Sequence, residues 1–251
     1  MKKLILLTLL CAGLFPFAVN AKKADSRYFE MRIYYCHPGR LDALIQRFTN
    51  HTTKIFEKHG MTNVGYWIPT NNTENALYYI LAYPSKADRD SSWKHFSSDP
   101  EWKTVSKKSE ETGKIVAKVT SVFMNATDFS PKIKPSGGPV DQVFELRTYS
   151  QLPGRNPAIL ARFRDHTTKI FKSHDIKNIA YFTTIEKDPA VQSKLVYLVA
   201  HPSEVAAKAN WAAFGNDPKW KKASADSEKD GKIIEKIESV FMTPTAFSTI
   251  R

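Results

Sequence analysis

The chain of 251 residues carries 37 Lys and Arg against 25 Asp and Glu, a formal net charge of +12, and 42% of its residues are hydrophobic. That apolar content excludes a disordered chain and suits two compact domains of roughly a hundred residues each. Two cysteines in the whole sequence exclude a disulfide-rich scaffold.

Residues 1–21 have the pattern of an export signal. Two lysines precede an apolar run from Leu4 to Val19, and Val19-Asn20-Ala21 is a small-residue cleavage site. Gly13 and Pro16 interrupt the run, which argues against a stable membrane span. We therefore expect cleavage near Ala21 and a periplasmic or secreted protein, in which nucleic acid is not an expected partner.

From Phe29 onward the sequence consists of two copies of one internal repeat. Segments 29–34, 38–40 and 47–56 return at a constant offset as 144–149, 153–155 and 162–171. In segment 29–34 apolar and polar residues alternate, as in a strand with two different faces. Pro-Gly then ends the strand in both copies. Each copy is thus expected to be one structural unit.

A helix is predicted after each Pro-Gly pair. Asn156 is a suitable N-cap in the second copy, and Gly60 a suitable left-handed stop in the first. Apolar residues and two histidines recur at steps of three and four, which places them on one buried face. These residues are Leu44, Phe48, His51, Ile55 and His59 in the first copy, and Ile159, Phe163, His166, Ile170 and His174 in the second.

The remaining elements also occur in pairs. Segments 64–68 and 179–183 are predicted as strands with aromatic pairs, and the polar turn that follows is longer in the second copy. Segments 77–83 and 195–201 are continuously apolar, as in a central strand covered on both sides. Two helices follow in each copy, the second capped by Asp99 or Asp217, and then strands containing 121–124 and 239–242. We assign domains to 27–130 and 142–251, joined by a linker over 131–141.

The order strand, helix, strand, strand, helix, strand is that of a ferredoxin-like domain, which has helices on only one face of its sheet. The other face needs a cover, and a second sheet of the same chain can supply it. We therefore predict an α+β protein of two tandem ferredoxin-like domains packed sheet to sheet, an intramolecular pseudo-dimer.

The chain resembles tandem NIPSNAP domains of the dimeric α+β barrel superfamily. The resemblance rests on Phe-Glu-Leu-Arg-Thr-Tyr, Pro-Gly-Arg, His-Thr-Thr-Lys-Ile-Phe, Asp-Pro-x-Trp and the closing Val-Phe-Met strand. It implies an intramolecular dimeric α+β barrel but no catalytic residue set. Superfamily relatives include haem-binding and haem-degrading enzymes, cofactor-free monooxygenases and isomerases, which use the barrel interior or the pocket between sheet and helices. Haem is therefore one hypothesis for a cofactor of this chain.

Ten residues are candidate ligand-binding residues: Glu30, Arg32, Tyr34, His51 and Tyr66, with Glu145, Arg147, Tyr149, His166 and Tyr181. Glu, Arg and Tyr on the first strands form either an ion-pair network that holds the two halves in register or a polar pocket for a carboxylate or enolate. His51 and His166 are either hydrogen-bonded core residues or a haem ligand or general base. Tyr66 and Tyr181 are either core or the wall of an aromatic pocket. No metal-ligand spacing occurs, and Cys36 and His37 have no counterparts in the second copy.

Three functions remain open from the sequence. The first is binding of a small organic or anionic ligand in the barrel without turnover. The second is a cofactor-free or haem-dependent monooxygenase or isomerase, and the third is a structural or protein-interaction module. Association of the chain with further copies of itself is left open.

Overall fold

The structure is a computed structural model that describes residues 24–136 and 142–251; the signal sequence and part of the linker predicted above lie outside these residues. The first half contains β1 (Tyr28–Cys36), α1 (Leu41–Arg47), a first π turn (Phe48–Thr52), α2 (Thr53–Lys58), β2 (Thr62–Pro69), β3 (Ala76–Tyr83), α3 (Lys86–Ser98), α4 (Pro100–Ser109) and β4 (Val116–Ala126). The second half contains β5 (Val143–Gln151), α5 (Asn156–Arg162), a second π turn (Phe163–Thr167), α6 (Thr168–Ser173), β6 (Lys177–Thr184), β7 (Leu195–His201), α7 (Glu204–Asn216), α8 (Pro218–Ser227) and β8 (Ile234–Pro244).

The described strands form one closed barrel in the order β1-β3-β2-β8-β5-β7-β6-β4. Within each half the strands pair antiparallel along most of their length. The halves join through two short antiparallel seams, β2 with β8 at 67–69 and β4 with β6 at 124–126. The α+β class and the barrel are therefore confirmed. Closure also gives the edge strands β2 and β4 partners at the seams, which shortens the exposed edges of the sheet.

The barrel interior is a single apolar core to which both halves contribute. Inward-pointing residues of alternating strand positions meet there, and the Phe29 and Phe182 rings lie 5.0 Å apart while those of Trp67 and Phe144 lie 5.7 Å apart. Burying each such side chain contributes about 1.5–3 kcal/mol. The apolar face of β1 predicted from its alternation is thus the inner face of the barrel.

Helices cover the outside of the barrel and form one further apolar layer in each half. The outward-pointing tyrosines Tyr66 and Tyr79 stack at 5.4 Å, as do Tyr181 and Tyr197. Glu30, Arg32 and their second-half counterparts lie on this outer face, under the helices. The polar face of the first strand is therefore covered by helices of its own half.

The prediction that His51 and His166 lie on a buried helical face is wrong. Both are exposed, and Thr52 and Thr167 are buried beside them. Each helix contains a π turn here, in which the Thr52 hydroxyl donates to the Arg47 carbonyl oxygen at 3.1 Å and Thr167 donates likewise to Arg162. A π turn holds more residues than an α turn, so it shifts the phase of the residues that it contains. Regular α-helical spacing therefore predicts that the histidine is buried, whereas the π turn buries the threonine that follows it.

One capping prediction is also corrected, whereas Gly60 has the predicted left-handed conformation, with φ of 76°. Asn156 is the first residue of α5 rather than its cap, and its side-chain amide donates to Ser193. His59 and His174 follow the ends of α2 and α6, and their imidazoles contact the carboxylates of Asp99 and Asp217, at 2.6 and 2.7 Å.

Candidate functional site

A buried carboxylate, Glu30, organises the space between the sheet and α3 in the first half. Arg89 of α3 makes two hydrogen bonds to it, both of 2.9 Å, and Arg32 bonds it at 2.7 Å. Trp93 and Tyr83 donate to the same carboxylate, at 3.0 and 3.2 Å. Burial opposes ionisation, but the bonds from Arg89 and the charge of Arg32 outweigh it and hold the pKa of Glu30 below its usual value.

Arg32 lies between this carboxylate and a layer of aromatic rings. Its guanidinium lies 4.2 Å from the centre of the Trp93 ring, and it donates to the Tyr79 hydroxyl at 3.0 Å and to Tyr34 at 3.5 Å. The structure thus brings three predicted site residues, Glu30, Arg32 and Tyr34, into one cluster.

The second half repeats the cluster with different partners. Glu145 accepts hydrogen bonds from Arg147, Trp211 and Ser239 at 2.6, 2.6 and 2.5 Å. His201 Nε2 lies 3.4 Å from the same carboxylate. Burial opposes ionisation here too, but contact with His201 and the charge of Arg147 lower the pKa of Glu145 to about 2.

Each ion-pair cluster is confined to one half of the molecule. The bonds described for Glu30 stay within β1, β3 and α3, and those for Glu145 stay within β5, β8 and α7. The interpretation that a Glu–Arg network holds the two halves in register is therefore wrong. Apolar packing inside the barrel and the two strand seams join the halves instead.

A pocket of about 1040 Å³ opens into the barrel interior where β4 and β6 diverge beyond their seam. Its inner wall is mostly apolar, whereas its rim carries charges of both signs. The wall residues are Met31, Ile33, Tyr78, Thr120, Val122, Leu146, Thr148, Val196 and Val240. The rim includes Arg89, Thr184, Glu186, Lys187, Asp188, Lys194 and Glu238.

None of the ten predicted site residues lines the barrel pocket. Tyr66 and Tyr181 are fully buried under the helices. His51 is exposed, and His166 lines a groove of about 440 Å³ between the second π turn and α8. Cys36 is buried, which raises its pKa to about 11, and His37 is exposed.

The wall of the barrel pocket is apolar, whereas the residues predicted for the site are polar or aromatic, so the prediction does not include the wall. Met31 and Ile33 alternate with the predicted site residues Glu30 and Arg32 along β1. The period of two therefore already assigns the two pairs to opposite faces of the strand. The longer turn of the second copy was a further signal, since residues 184–188 and Lys194 form the rim. Apolar alternation by itself does not show whether a core is packed or hollow.

In 24–136 and 142–251, no helix is both long enough and apolar enough to cross a membrane. The same residues contain no group of three or more His, Cys, Asp or Glu side chains that could hold a metal ion.

Comparison with known proteins identifies a family match in each half. A family model described as NIPSNAP matches residues 29–131 and 144–249. Protein NipSnap homolog 3A from Homo sapiens is 26% identical over 146 residues, which are 57% of this chain and 55% of that protein. The chain therefore spans about half the length of the curated relatives it matches.

Two solved structures share the fold over nearly the whole chain. A candidate monooxygenase from Lactobacillus acidophilus has a TM-score of 0.54 at 10% identity, covering 88% of this chain and 94% of that one. An anthrone oxidase-like protein has a TM-score of 0.57 at 11% identity, covering 90% of this chain and 94% of that one. At such identities the likeness shows the fold alone.

Proposed function

The chain belongs to the NIPSNAP family, and on that premise we propose that it binds a small organic ligand inside its barrel. The two halves, 27–130 and 142–251, would act as tandem ferredoxin-like domains packed sheet to sheet as an intramolecular dimeric α+β barrel. The repeated element order and the two matched segments support this arrangement.

The barrel pocket is the observation that carries the proposal. Its volume of about 1040 Å³ is at the upper end of the range usual for small-molecule sites, roughly 300–1,000 Å³. The apolar wall favours an aromatic or aliphatic body, because transfer of apolar surface from water is favourable. The rim carries Arg89, Lys187 and Lys194 together with Glu186, Asp188 and Glu238, so it offers partners to a polar or charged group at the outer end of the ligand.

Binding of 1-anilinonaphthalene-8-sulfonate, an aromatic anion, tests the proposal. Leu146→Trp and Val196→Trp place an indole in the pocket wall, so each variant is expected to weaken binding at least about tenfold, which is about 1.4 kcal/mol. Dye fluorescence and calorimetry provide the affinities, and near-UV circular dichroism checks the fold.

Val205→Trp is the matched control, because Val205 on α7 is 79% exposed. It should bind the dye as the unaltered protein does. Equal affinity in all three variants would show that the dye does not occupy the barrel, and would favour the structural or interaction module.

A cofactor-free monooxygenase or isomerase is the second candidate, because an apolar pocket within the barrel can limit the access of water to a reactive intermediate. The folds of the candidate monooxygenase and of the anthrone oxidase-like protein are consistent with it. Oxygen uptake in the presence of anthrone tests this function. Histidine-ligated haem does not fit the barrel pocket, since none of its described lining residues is a histidine.

We also propose that the chain is exported, since residues 1–21 have the charge and apolar run of a cleavable signal. Mass spectrometry of the N-terminus of the protein from fractionated cells tests cleavage near Ala21. An intact Met1 in the cytoplasmic fraction would contradict it.

A further inference from the structure

The barrel pocket has an open strand edge in its wall, and we propose, on the premise of the barrel site proposed above, that its ligand is a short peptide paired with this edge. The edge belongs to β4. The seam with β6 pairs β4 only over residues 124–126. Residues 119–123 of β4 instead line the pocket, together with residues 184–188 and Val191 of the second half.

One hydrogen bond shows which way the backbone groups of β4 point. The Phe123 carbonyl accepts from the N–H of Ile185 at 2.7 Å, so the backbone groups of Phe123 face away from β1. This direction alternates along a strand, and no register shift with β1 occurs between residues 119 and 125. Val119 and Ser121 therefore present their N–H and C=O groups toward the pocket mouth. Among the described residues, no backbone group bonds them on this side.

Exposed apolar side chains lie beside these backbone groups. Val119 on β4 is 43% exposed and Val191 in the loop between β6 and β7 is 49% exposed, and both line the pocket. They are two of the four large hydrophobic side chains that are exposed among the described residues. An added strand covers both an open edge and the apolar side chains next to it. The mouth thus offers backbone pairing and apolar contact to an extended peptide.

The alternation of side chains along β4 gives the pattern of the peptide. Thr120 and Val122 point into the barrel, whereas Ser121 points to the outer face, where its hydroxyl accepts from Arg32 at 3.1 Å. A peptide residue paired with Ser121 places its side chain on the outer face as well. Its two neighbours then place their side chains in the apolar pocket. A tripeptide with apolar first and third residues fits this arrangement.

The rim of the pocket suits the two charged ends of a free peptide. It carries basic and acidic side chains in equal number: Arg89, Lys187 and Lys194 with Glu186, Asp188 and Glu238. A short peptide has an ammonium group at one end and a carboxylate at the other, so it needs partners of both signs. A second copy of this chain would offer a strand edge but no free ends at the rim. The rim charges therefore favour the peptide.

Calorimetric titration with the tripeptide Leu-Ala-Leu tests the proposal. The comparison peptide has N-methylalanine at its centre, which removes the N–H that would donate to the Ser121 carbonyl. We expect the unmodified peptide to bind at least about tenfold more tightly and to displace the dye from the barrel. Amide hydrogen exchange of Val119 and Ser121 should slow at least about tenfold in the complex, because these N–H groups gain partners.

Val119→Pro and Ile237→Pro are a matched pair of variants. The two positions are equivalent in the repeat and are 43% and 45% exposed, but Ile237 on β8 is not among the residues that line the pocket. The N–H of Ile237 also faces away from the neighbouring strand β5, since the Phe241 carbonyl accepts from Thr70. Proline is tolerated where the lost N–H faces an open edge. Only Val119→Pro should lose at least about tenfold in peptide affinity, while both variants bind the dye.

The outcomes separate the peptide from the barrel site itself. Binding of the dye in the barrel without binding of Leu-Ala-Leu refutes the peptide and leaves the barrel site in place. Equal affinity of the two peptides, or of the two proline variants for Leu-Ala-Leu, overturns strand pairing. Slow exchange at Val119 and Ser121 at high protein concentration without peptide would assign the edge to a second copy and also overturn it. Should Val119→Pro fail to fold, the N-methyl comparison and the exchange measurement on the unaltered protein decide.

Discussion

At the scale of single residues, the two halves stabilise equivalent buried carboxylates with different partners. Glu30 and Glu145 are both almost fully buried, and an unpaired carboxylate there would be very unfavourable. Each half donates a tryptophan N–H to its carboxylate, but the first half adds two arginines and Tyr83, whereas the second adds one arginine, His201 and Ser239. Both carboxylates therefore stay charged although they are buried.

Glu145 should make stability depend on pH in the acid range. Its pKa is lowered from 4.5 to about 2, so its contribution is fully present above pH 4.5 and is lost as the pH falls toward 2. The corresponding free energy is about 3 kcal/mol. We expect the loss of stability of the unaltered protein between pH 5 and 2 to be smaller in Glu145→Gln by about this amount, as measured by urea unfolding.

The exposed Glu111 provides the control for this measurement. Glu111→Gln should follow the unaltered protein across the same pH range. If Glu145→Gln shows the same pH dependence as Glu111→Gln, the buried carboxylate does not contribute to acid stability.

At the scale of elements, the π turns decide which residues of the first helix in each half face the core. Thr52 and Thr167 are 1% exposed, and each donates to the carbonyl five residues earlier. The histidines that precede them point to solvent. The His-Thr-Thr sequence that both halves share therefore corresponds to the hydrogen-bonded π turn as well as to part of the apolar helix face.

Alanine substitutions at neighbouring positions distinguish this arrangement from a regular helix. Thr52→Ala should cost about 1 kcal/mol or somewhat more, because a buried hydroxyl and its hydrogen bond are lost. His51→Ala should change stability by less than about 0.5 kcal/mol, as is usual on surfaces. Chemical denaturation measures both, with Thr167→Ala and His166→Ala as the matched pair. A larger loss of stability in His51→Ala than in Thr52→Ala would mean that the helix is regular here and that His51 faces the core.

At the scale of the whole molecule, the barrel makes the two halves one folding unit. Phe29 and Phe144 occupy equivalent positions of the repeat and are fully buried in the same interior core. Phe144 contacts Trp67 of the other half, and Phe29 contacts Phe182. Loss of either half would expose the apolar inner face of the other.

Phe144→Ala should therefore destabilise the whole chain by about 3–5 kcal/mol, the usual cost of removing a buried phenylalanine. Both halves should still unfold in one transition, which calorimetry tests by comparing calorimetric and van't Hoff enthalpies. Phe29→Ala should behave alike. Two separated transitions in either variant would mean that the halves are independent.

The sequence by itself determined the duplication, the order of elements and most of their positions. Segment 195–201 was predicted as a strand and is β7, and the predicted strand 64–68 lies within β2. These features depend on the local spacing of residues and on the repeat, and both can be read from the order of residues alone. For the same reason, the pairing of Glu30 with Arg32 on one strand face could be predicted.

Only the tertiary structure decided where the cavities lie and which groups line them. Whether Met31 and Ile33 pack against a partner or face a pocket depends on how β4 and β6 separate, far away in the chain. The exposure of His51 depends on a π turn, which a helical period does not encode. Arg89 and Ala207 occupy equivalent positions of the repeat, yet only Arg89 bonds the buried carboxylate of its half, because a side chain acts only on the neighbours that folding brings to it.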